Sequence, residues 1–223
     1  KFKGTPYWYD STGTQDTAKV CSDNLFAIDK QSGLKKWEYQ GGKIINTTIA
    51  IGDGRVYFVE SNSSSLRNQP TSRIASNTLW SSLRLVALNQ NTGVKIWSKA
   101  ININKSNYPV VFFLAYAKSR LVLSYTTNRY YVDAYSSVSG SKVWSKNHSW
   151  NRDHHGGHMY HPLIVGDAVI VEPYGYKLSN GVVVHRGLPA RGGCSTMSAS
   201  KNTVHYINWD YDKGSMYFWD LND

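Results

Sequence analysis

The chain has 223 residues with a formal net charge of +10, and 41% of them are hydrophobic and 13% aromatic. This apolar content excludes a disordered chain, and a total of two cysteines excludes a small scaffold held by disulfides. No apolar run approaches the ~20 residues that a membrane helix needs. The cationic residues are spread along the chain, so we expect neither a transmembrane segment nor a specific nucleic-acid site.

One sequence pattern recurs along the chain. Each copy runs from a β-rich stretch through a polar turn to a glycine, and a tryptophan follows four positions later. The three clear copies are residues 25–37, 85–97 and 132–144, and a weaker fourth copy is residues 174–185. Their glycines are Gly33, Gly93, Gly140 and Gly181, and the residues four positions later are Trp37, Trp97, Trp144 and His185. This recurrence predicts a repeat protein.

Each copy is typical of a β-hairpin. The side chains of Asp29, Asn89 and Ser136 are placed to accept hydrogen bonds from backbone N–H groups of the turn. The glycine can adopt the positive φ that closes such a loop. A tryptophan at one fixed position per repeat suggests a flat ring wedged between neighbouring sheets; the alternative is an ordinary exposed strand aromatic.

A second hairpin lies between the copies, at residues 48–59, 113–124, 162–171 and 196–207. Two hairpins give four antiparallel strands every ~40–50 residues, which is the signature of a propeller blade. The polar stretch 61–77 carries Pro70 and shows no alternation, so we expect it to be a surface loop. A last strand is expected at residues 216–220.

These elements predict an all-β fold, a β-propeller of four-stranded antiparallel blades. The repeats span about 17–43, 44–100, 108–147, 157–186 and 194–221 of one domain, 1–223. This gives four to five blades, which favours part of a larger ring over a closed four-bladed one. Because the chain begins at Lys1 and shows no signal segment, we expect a processed chain or a piece of a longer protein. A partner protein or further sequence of the same chain would then complete the ring.

The pattern Ala-x-Asp-x-x-Ser/Thr-Gly-x-x-x-Trp resembles the tryptophan-docking (PQQ-like) repeat of the quinoprotein-like propellers. That family includes alcohol dehydrogenases that use pyrroloquinoline quinone (PQQ), and a non-enzymatic lipoprotein of the outer-membrane barrel-assembly machinery. The resemblance covers roughly residues 20–207. It implies the propeller fold and an extracytoplasmic location, periplasmic or secreted, and it says little about function because the motif belongs to the scaffold.

The enzymes of this family place adjacent cysteines over the quinone and bind calcium through carboxylate and amide ligands. Here Cys21 and Cys194 are far apart in the sequence, so PQQ is not expected. A Cys21–Cys194 disulfide would require the ring to close within this chain, and two free thiols are favoured. The stretch 210–214 begins like a calcium loop, but the twelfth position is Leu221 and not a chelating Glu, so we interpret it as a turn.

One histidine cluster is a candidate metal site. Its members are His154, His155, His158 and His161. Imidazole binds zinc or copper, and Gly156 and Gly157 could let the backbone bring several rings together. The segment leads into the first strand of a blade, so we expect it near the mouth of the central channel of the propeller. The alternative is that these histidines bond to the backbone or stack on Tyr160 and Trp150, because one loop supplying every ligand is not a standard zinc spacing.

Two functions therefore stay open, and whether the chain is an enzyme is undecided. The first is a scaffold module that binds a ligand or a protein outside the cytoplasm and needs no cofactor. The second is a redox enzyme, or a fragment of one, with a quinone or a histidine-bound metal at the channel mouth. In a variant of the second, partner chains of a larger redox complex hold the cofactors.

Overall fold

The structure is a computed structural model that describes residues 21–69, 77–104, 109, 112–149, 161–188, 197–207 and 216–221. These residues form four antiparallel sheets. The first sheet contains β1 (Cys21–Ile28), β2 (Lys35–Ile45), β3 (Ala50–Gly52), β4 (Arg55–Ser61), β5 (Leu83–Asn89) and β6 (Lys95–Ala100). The second contains β7 (Phe112–Ala117), β8 (Arg120–Thr126), β9 (Tyr130–Ser136) and β10 (Lys142–His148). The third contains β11 (Leu163–Val165), β12 (Ala168–Val171), β13 (Tyr174–Lys177) and β14 (Val183–Arg186), and the fourth contains β15 (Ser198–Ser200), β16 (Thr203–Ile207) and β17 (Met216–Asp220).

Successive hairpins build the sheets, as the sequence predicts. In the first sheet β3 pairs with β4 and β5 with β6, and the β4–β5 pairing joins the two hairpins. The second and third sheets repeat this order, and in the fourth sheet β16 pairs with both β15 and β17. The prediction of an all-β fold with four-stranded antiparallel sheets is therefore confirmed.

The middle strands of the second and third sheets are apolar on both faces, because each of these sheets packs between two others. In β8, Leu121 and Leu123 lie in the core shared with the first sheet. Val122, on the opposite face, lies in the core shared with the third sheet. This is the alternation that a strand imposes on successive side chains. The chain is thus a row of sheets stacked face to face, with an apolar core between each pair.

The row of sheets is open at both ends. Within the described residues, no strand of the fourth sheet pairs with a strand of the first sheet. No apolar core of the described residues joins these two sheets either, whereas one joins each successive pair. The structure is consistent with a partial propeller. The described helical turns lie at Asn46–Thr48, Ser64–Leu66 and Asn77–Trp80, and none of them is long or apolar enough to span a lipid bilayer.

The first sheet is larger than expected. The sequence predicts a separate half-blade before the first full blade, but the far end of β2 pairs with β4, at Lys43–Ser61 and Ile44–Glu60. Gly42 allows this close approach, because a Cβ at that position would lie 2.2 Å from the Ser61 carbonyl oxygen. Strand pairing therefore links the predicted half-blade to the first blade in one six-stranded sheet. The β1–β2 hairpin nevertheless packs its face on β4 and β5 through Leu25, Trp37 and Tyr39.

The loop expected at residues 61–77 is not wholly at the surface. Residues 64–66 form a helical turn, and Leu66 is fully buried in the core between the first two sheets. The Lys43 ammonium binds the Gln69 carbonyl oxygen at 2.5 Å and also binds Asp23. Composition indicated a polar loop, but it did not reveal the single leucine that fixes the described part of the loop to the core.

Candidate functional site

The turn of each repeat is shaped by its first residue and its glycine. Asp29 Oδ1 accepts hydrogen bonds from the backbone N–H groups of Gln31 and Ser32, at 3.1 and 2.9 Å. Those bonds, with one from the Ser32 hydroxyl, lower the pKa of Asp29. Asn89 makes the same pair of bonds in the second repeat. The φ angles of Gly33, Gly93, Gly140 and Gly181 lie between 71° and 73°, the left-handed conformation that the sequence predicts.

The repeat tryptophans lie between successive repeats. In each case the indole Nε1 donates a hydrogen bond to the backbone carbonyl three positions before the glycine of the next repeat. The three bonds are Trp37 to Gln90 at 2.9 Å, Trp97 to Ser137 at 3.2 Å and Trp144 to Leu178 at 2.9 Å. We refer to each such space between two successive repeats as a slot.

The indole ring in each slot also lies against the glycine of the next turn. A Cβ added at Gly93 would come within 2.7 Å of the Trp37 ring, and one at Gly181 would come within 2.8 Å of the Trp144 ring. A Cβ at Gly33 would meet nothing within 4 Å. At the slots a glycine is therefore required for two reasons, its positive φ and the lack of space for a side chain. At Gly33 only the positive φ requires a glycine.

A small residue on the neighbouring strand lies beside each slot side chain. The register pairs Trp37 with Ala27, Trp97 with Ala87 and Trp144 with Ala134. In the fourth repeat it pairs His185 with Gly175. The alanine of the repeated pattern is thus the residue across which the indole lies.

The predicted histidine cluster falls mostly outside the described residues, as His154, His155 and His158 do. His161 lies just before β11, and its ring packs edge-on against Phe113 of β7 with ring centroids 5.0 Å apart. Cys194 and the 210–214 turn are also outside the described residues, and Cys21 is buried. The metal-site and disulfide hypotheses therefore stay predictions.

Metal ligands are not clustered in the described part of the chain. Those residues contain no group of three or more His, Cys, Asp or Glu side chains that could hold a metal ion. The cofactor is not determined by these residues, and no reaction step is assigned to PQQ.

A buried histidine that the sequence reasoning missed lies between the second and third sheets. His148 Nε2 bonds to the Glu172 carbonyl at 2.8 Å, and its Nδ1 lies 3.1 Å from the Tyr176 hydroxyl. Because a carbonyl can only accept, Nε2 carries the proton and Nδ1 of the neutral ring accepts from Tyr176. The ring stacks on Tyr130 at 5.1 Å. A lone histidine at the end of an outer strand gives no sequence signal for this role.

Acid is expected to destabilise the chain through His148. Burial lowers the pKa of His148 to about 4 from its ordinary value of 6.5, with the Arg129 charge contributing. The unfolded chain therefore takes up a proton as pH falls through 6.5, while the folded chain stays neutral until about pH 4. We expect about 3 kcal/mol of unfolding free energy to be lost across this window.

The measurement is urea unfolding at several pH values between 7 and 4, with wild type, His148→Phe and His205→Gln compared. His148→Phe should be less stable at pH 7 and lose less stability on acidification. His205→Gln is the control, because it removes a partly buried histidine of β16 that lies outside the core around His148, and it should follow the wild-type curve. An unchanged pH slope in His148→Phe would contradict the assignment.

Comparison with known proteins gives similarity in structure only. No protein-family model matches the chain, and no curated protein matches it. Among solved structures, BamB from Moraxella catarrhalis matches with a TM-score of 0.57 at 12% identity, over 91% of this chain and 55% of that one. A rhamnogalacturonan lyase from Bacillus licheniformis matches with a TM-score of 0.59 at 12% identity, over 94% and 45%.

A quinohemoprotein alcohol dehydrogenase from Pseudomonas putida HK5 matches with a TM-score of 0.50 at 12% identity, over 88% of this chain and 39% of that one. The chain thus spans about half the length, or less, of the structures named here. At these identities the likeness shows the fold alone. The chain has the PQQ-like β-propeller fold seen in BamB and in the quinoprotein dehydrogenases.

Proposed function

We propose that the chain belongs to the non-enzymatic branch of the quinoprotein-like propellers, and that it acts as a scaffold that binds a protein partner outside the cytoplasm. The slots support membership of the propeller family, because an indole and a glycine recur in the places that define the tryptophan-docking repeat. The non-enzymatic branch is supported by the sequence, in which Cys21 and Cys194 are not adjacent. The extracytoplasmic location rests on the family resemblance. The second part rests on one observation, the uncovered apolar faces at the two ends of the row.

At the first end, β1 exposes side chains whose counterparts are buried. Phe26 and Ile28 flank Ala27 as Val86 and Leu88 flank Ala87 in the next repeat. Phe26 and Ile28 are each 54% exposed, whereas Val86 and Leu88 are 0% exposed. Val86 and Leu88 are buried because they pack in a core with partly buried Leu25, Trp37 and Tyr39 of the hairpin before them. The equivalent face of β1 lacks such a cover among the described residues.

The other end shows the same feature. Asp220 pairs with Thr203 as Asn89 pairs with Arg55, so Phe218 of β17 is the counterpart of Ala87. Phe218 is 65% exposed and Ala87 is buried in the core with the next sheet. Each end of the row thus exposes large apolar side chains at positions whose counterparts within the row are buried against another sheet. A protein surface that completes the ring, from a partner chain or from further sequence, fits both ends.

Introduction of positive charge on the first end face tests this function. The doubly substituted chain, Phe26→Lys with Ile28→Lys, should bind its partner with an affinity at least about tenfold lower, because two cations would have to be buried in an apolar contact. Its unfolding midpoint without the partner should stay close to that of wild type, because both side chains are half-exposed. Stoichiometric partners are measured by native purification, light scattering and cross-linking mass spectrometry.

The matched control replaces two equally exposed apolar residues that lie in turns after the repeat glycines. Leu34 and Val94 are 70% and 65% exposed, and Leu34→Lys with Val94→Lys should keep the partner. A wild-type chain that purifies as a monomer without any stoichiometric partner would contradict the scaffold function. Retention of the partner by the Phe26 and Ile28 variant would exclude this face as the interface.

The second candidate is a metal at His154, His155, His158 and His161, in a redox enzyme. It rests on the histidine cluster in the sequence and on the position of His161 beside β7, a strand at the end of its sheet. Elemental analysis of the chain purified without a histidine tag should give no stoichiometric zinc or copper if the scaffold function holds. About one metal ion per chain, lost on changing these histidines to alanine, would support the enzyme instead.

A further inference from the structure

The fourth repeat has a smaller side chain in its slot than the other three repeats. His185 stands where Trp144 and its counterparts stand, and it lies opposite Gly175 where they lie opposite alanine. The imidazole lies over Gly175, since a Cβ there would be 2.7 Å from His185 Cδ2. Both the slot residue and its neighbour have lost volume, and space opens between the third and fourth sheets.

An open groove of about 490 Å³ occupies this space. Its walls come from β14 and the β11–β12 turn on one side, and from the β15–β16 turn and the end of β17 on the other. The apolar lining residues are Val165, Ala168, Val184 and Leu221, and the polar ones are Asp167, Lys177, His185 and Asn202. Sites for organic ligands have volumes of about 300–1,000 Å³, with apolar walls and a few polar groups.

The backbone of the groove repeats that of a slot that holds an indole. The Leu221 N–H donates to the Asn202 carbonyl at 2.8 Å. In the preceding slot the Leu178 N–H donates to the Asp167 carbonyl at 2.7 Å. Leu178 then accepts from Trp144 Nε1 through its own carbonyl. The Leu221 carbonyl is therefore the equivalent acceptor, and within the described residues His185 makes no hydrogen bond to it.

We infer that this groove binds a tryptophan side chain presented by a partner polypeptide. The inference rests on the proposed scaffold function and assigns to it one binding site. The groove continues the series of inter-sheet contacts in which an indole packs between two sheets. An indole has a flat apolar ring that fits between the apolar walls of the groove and an N–H that can donate to the Leu221 carbonyl. The His185 ring supplies a surface on which the indole stacks.

N-acetyl-tryptophanamide is the probe that tests the groove directly. We expect it to raise the unfolding midpoint of wild type in a saturable way, and N-acetyl-phenylalaninamide to do so at least about tenfold more weakly, because it lacks the N–H donor. His185→Trp fills the groove from within, so it should be more stable than wild type and insensitive to the probe. Val184→Lys leaves the slot residue in place and blocks the groove wall, and it should also lose the response.

Trp144→His is the matched control, because it opens the preceding slot and should create a second response to the probe. No response of wild type, or equal responses of wild type and His185→Trp, would overturn the inference. Retention of the copurified partner by His185→Trp would also overturn it. A wild-type chain that binds the probe but has no partner contradicts the scaffold function alone, whereas a partner retained without probe binding contradicts the groove alone.

Discussion

Changing Gly181 to alanine is expected to lower the free energy of unfolding by about 2–5 kcal/mol. Two costs add at this position. The φ of 73° is a conformation that an L side chain adopts only under strain. The new methyl would also lie 2.8 Å from the Trp144 ring, which is 8% exposed and is held by its bond to Leu178. The ring has little room to move away, so the contact behaves as overpacking of a core.

The same substitution at Gly33 separates these two costs. Its φ of 71° matches that of Gly181, but a Cβ at Gly33 would meet nothing within 4 Å. Gly33→Ala is therefore expected to cost only the strain, about 1–2 kcal/mol. Urea unfolding of both variants gives the difference, which is the contribution of the ring contact. Equal costs for the two variants would show that the indole does not constrain the glycine.

Local sequence rules predict most of the strands and turns, because each hairpin is formed by residues that are close in sequence. The hairpin turns depend on a capping side chain such as Asp29 and a glycine such as Gly33, which are close in sequence. The last strand, Met216–Asp220, lies at the residues that the sequence predicts. Repetition adds information of its own, because a tryptophan at a constant distance from a glycine predicts a contact between repeats even when no single copy does.

Features that depend on contacts between distant segments could not be predicted in the same way. The pairing of β2 with β4 needs the bare backbone of Gly42 beside Ser61, and nothing in a two-glycine stretch indicates which strand will approach it. The pKa of His148 is lowered by its burial among side chains of two sheets, which no local sequence pattern reveals. In the sequence, the groove at His185 is indicated only by the weak fourth copy of the pattern. The open space also depends on the residues of the fourth sheet that form its other wall.

Removal of the Trp144 side chain is expected to have the largest effect, about 3–5 kcal/mol of unfolding free energy in Trp144→Ala. The indole is buried among residues of the second and third sheets, and it contacts Tyr176 with ring centroids 6.2 Å apart. Loss of the ring leaves a cavity between the sheets and a buried Leu178 carbonyl without its donor. The shift in the midpoint of urea unfolding measures the combined cost of the cavity and of the lost hydrogen bond.

Two further variants divide this effect into volume and hydrogen bonding. Trp144→Phe keeps a ring but loses the N–H, so it is expected to cost about 1–3 kcal/mol. Trp37→Ala is the positional control, because its slot is more exposed and the loss should be smaller. In the Trp144→Ala background, Gly181→Ala should cost no more than Gly33→Ala does, since the ring that it would strike is gone. An undiminished cost there would contradict the coupling of tryptophan and glycine on which the slots depend.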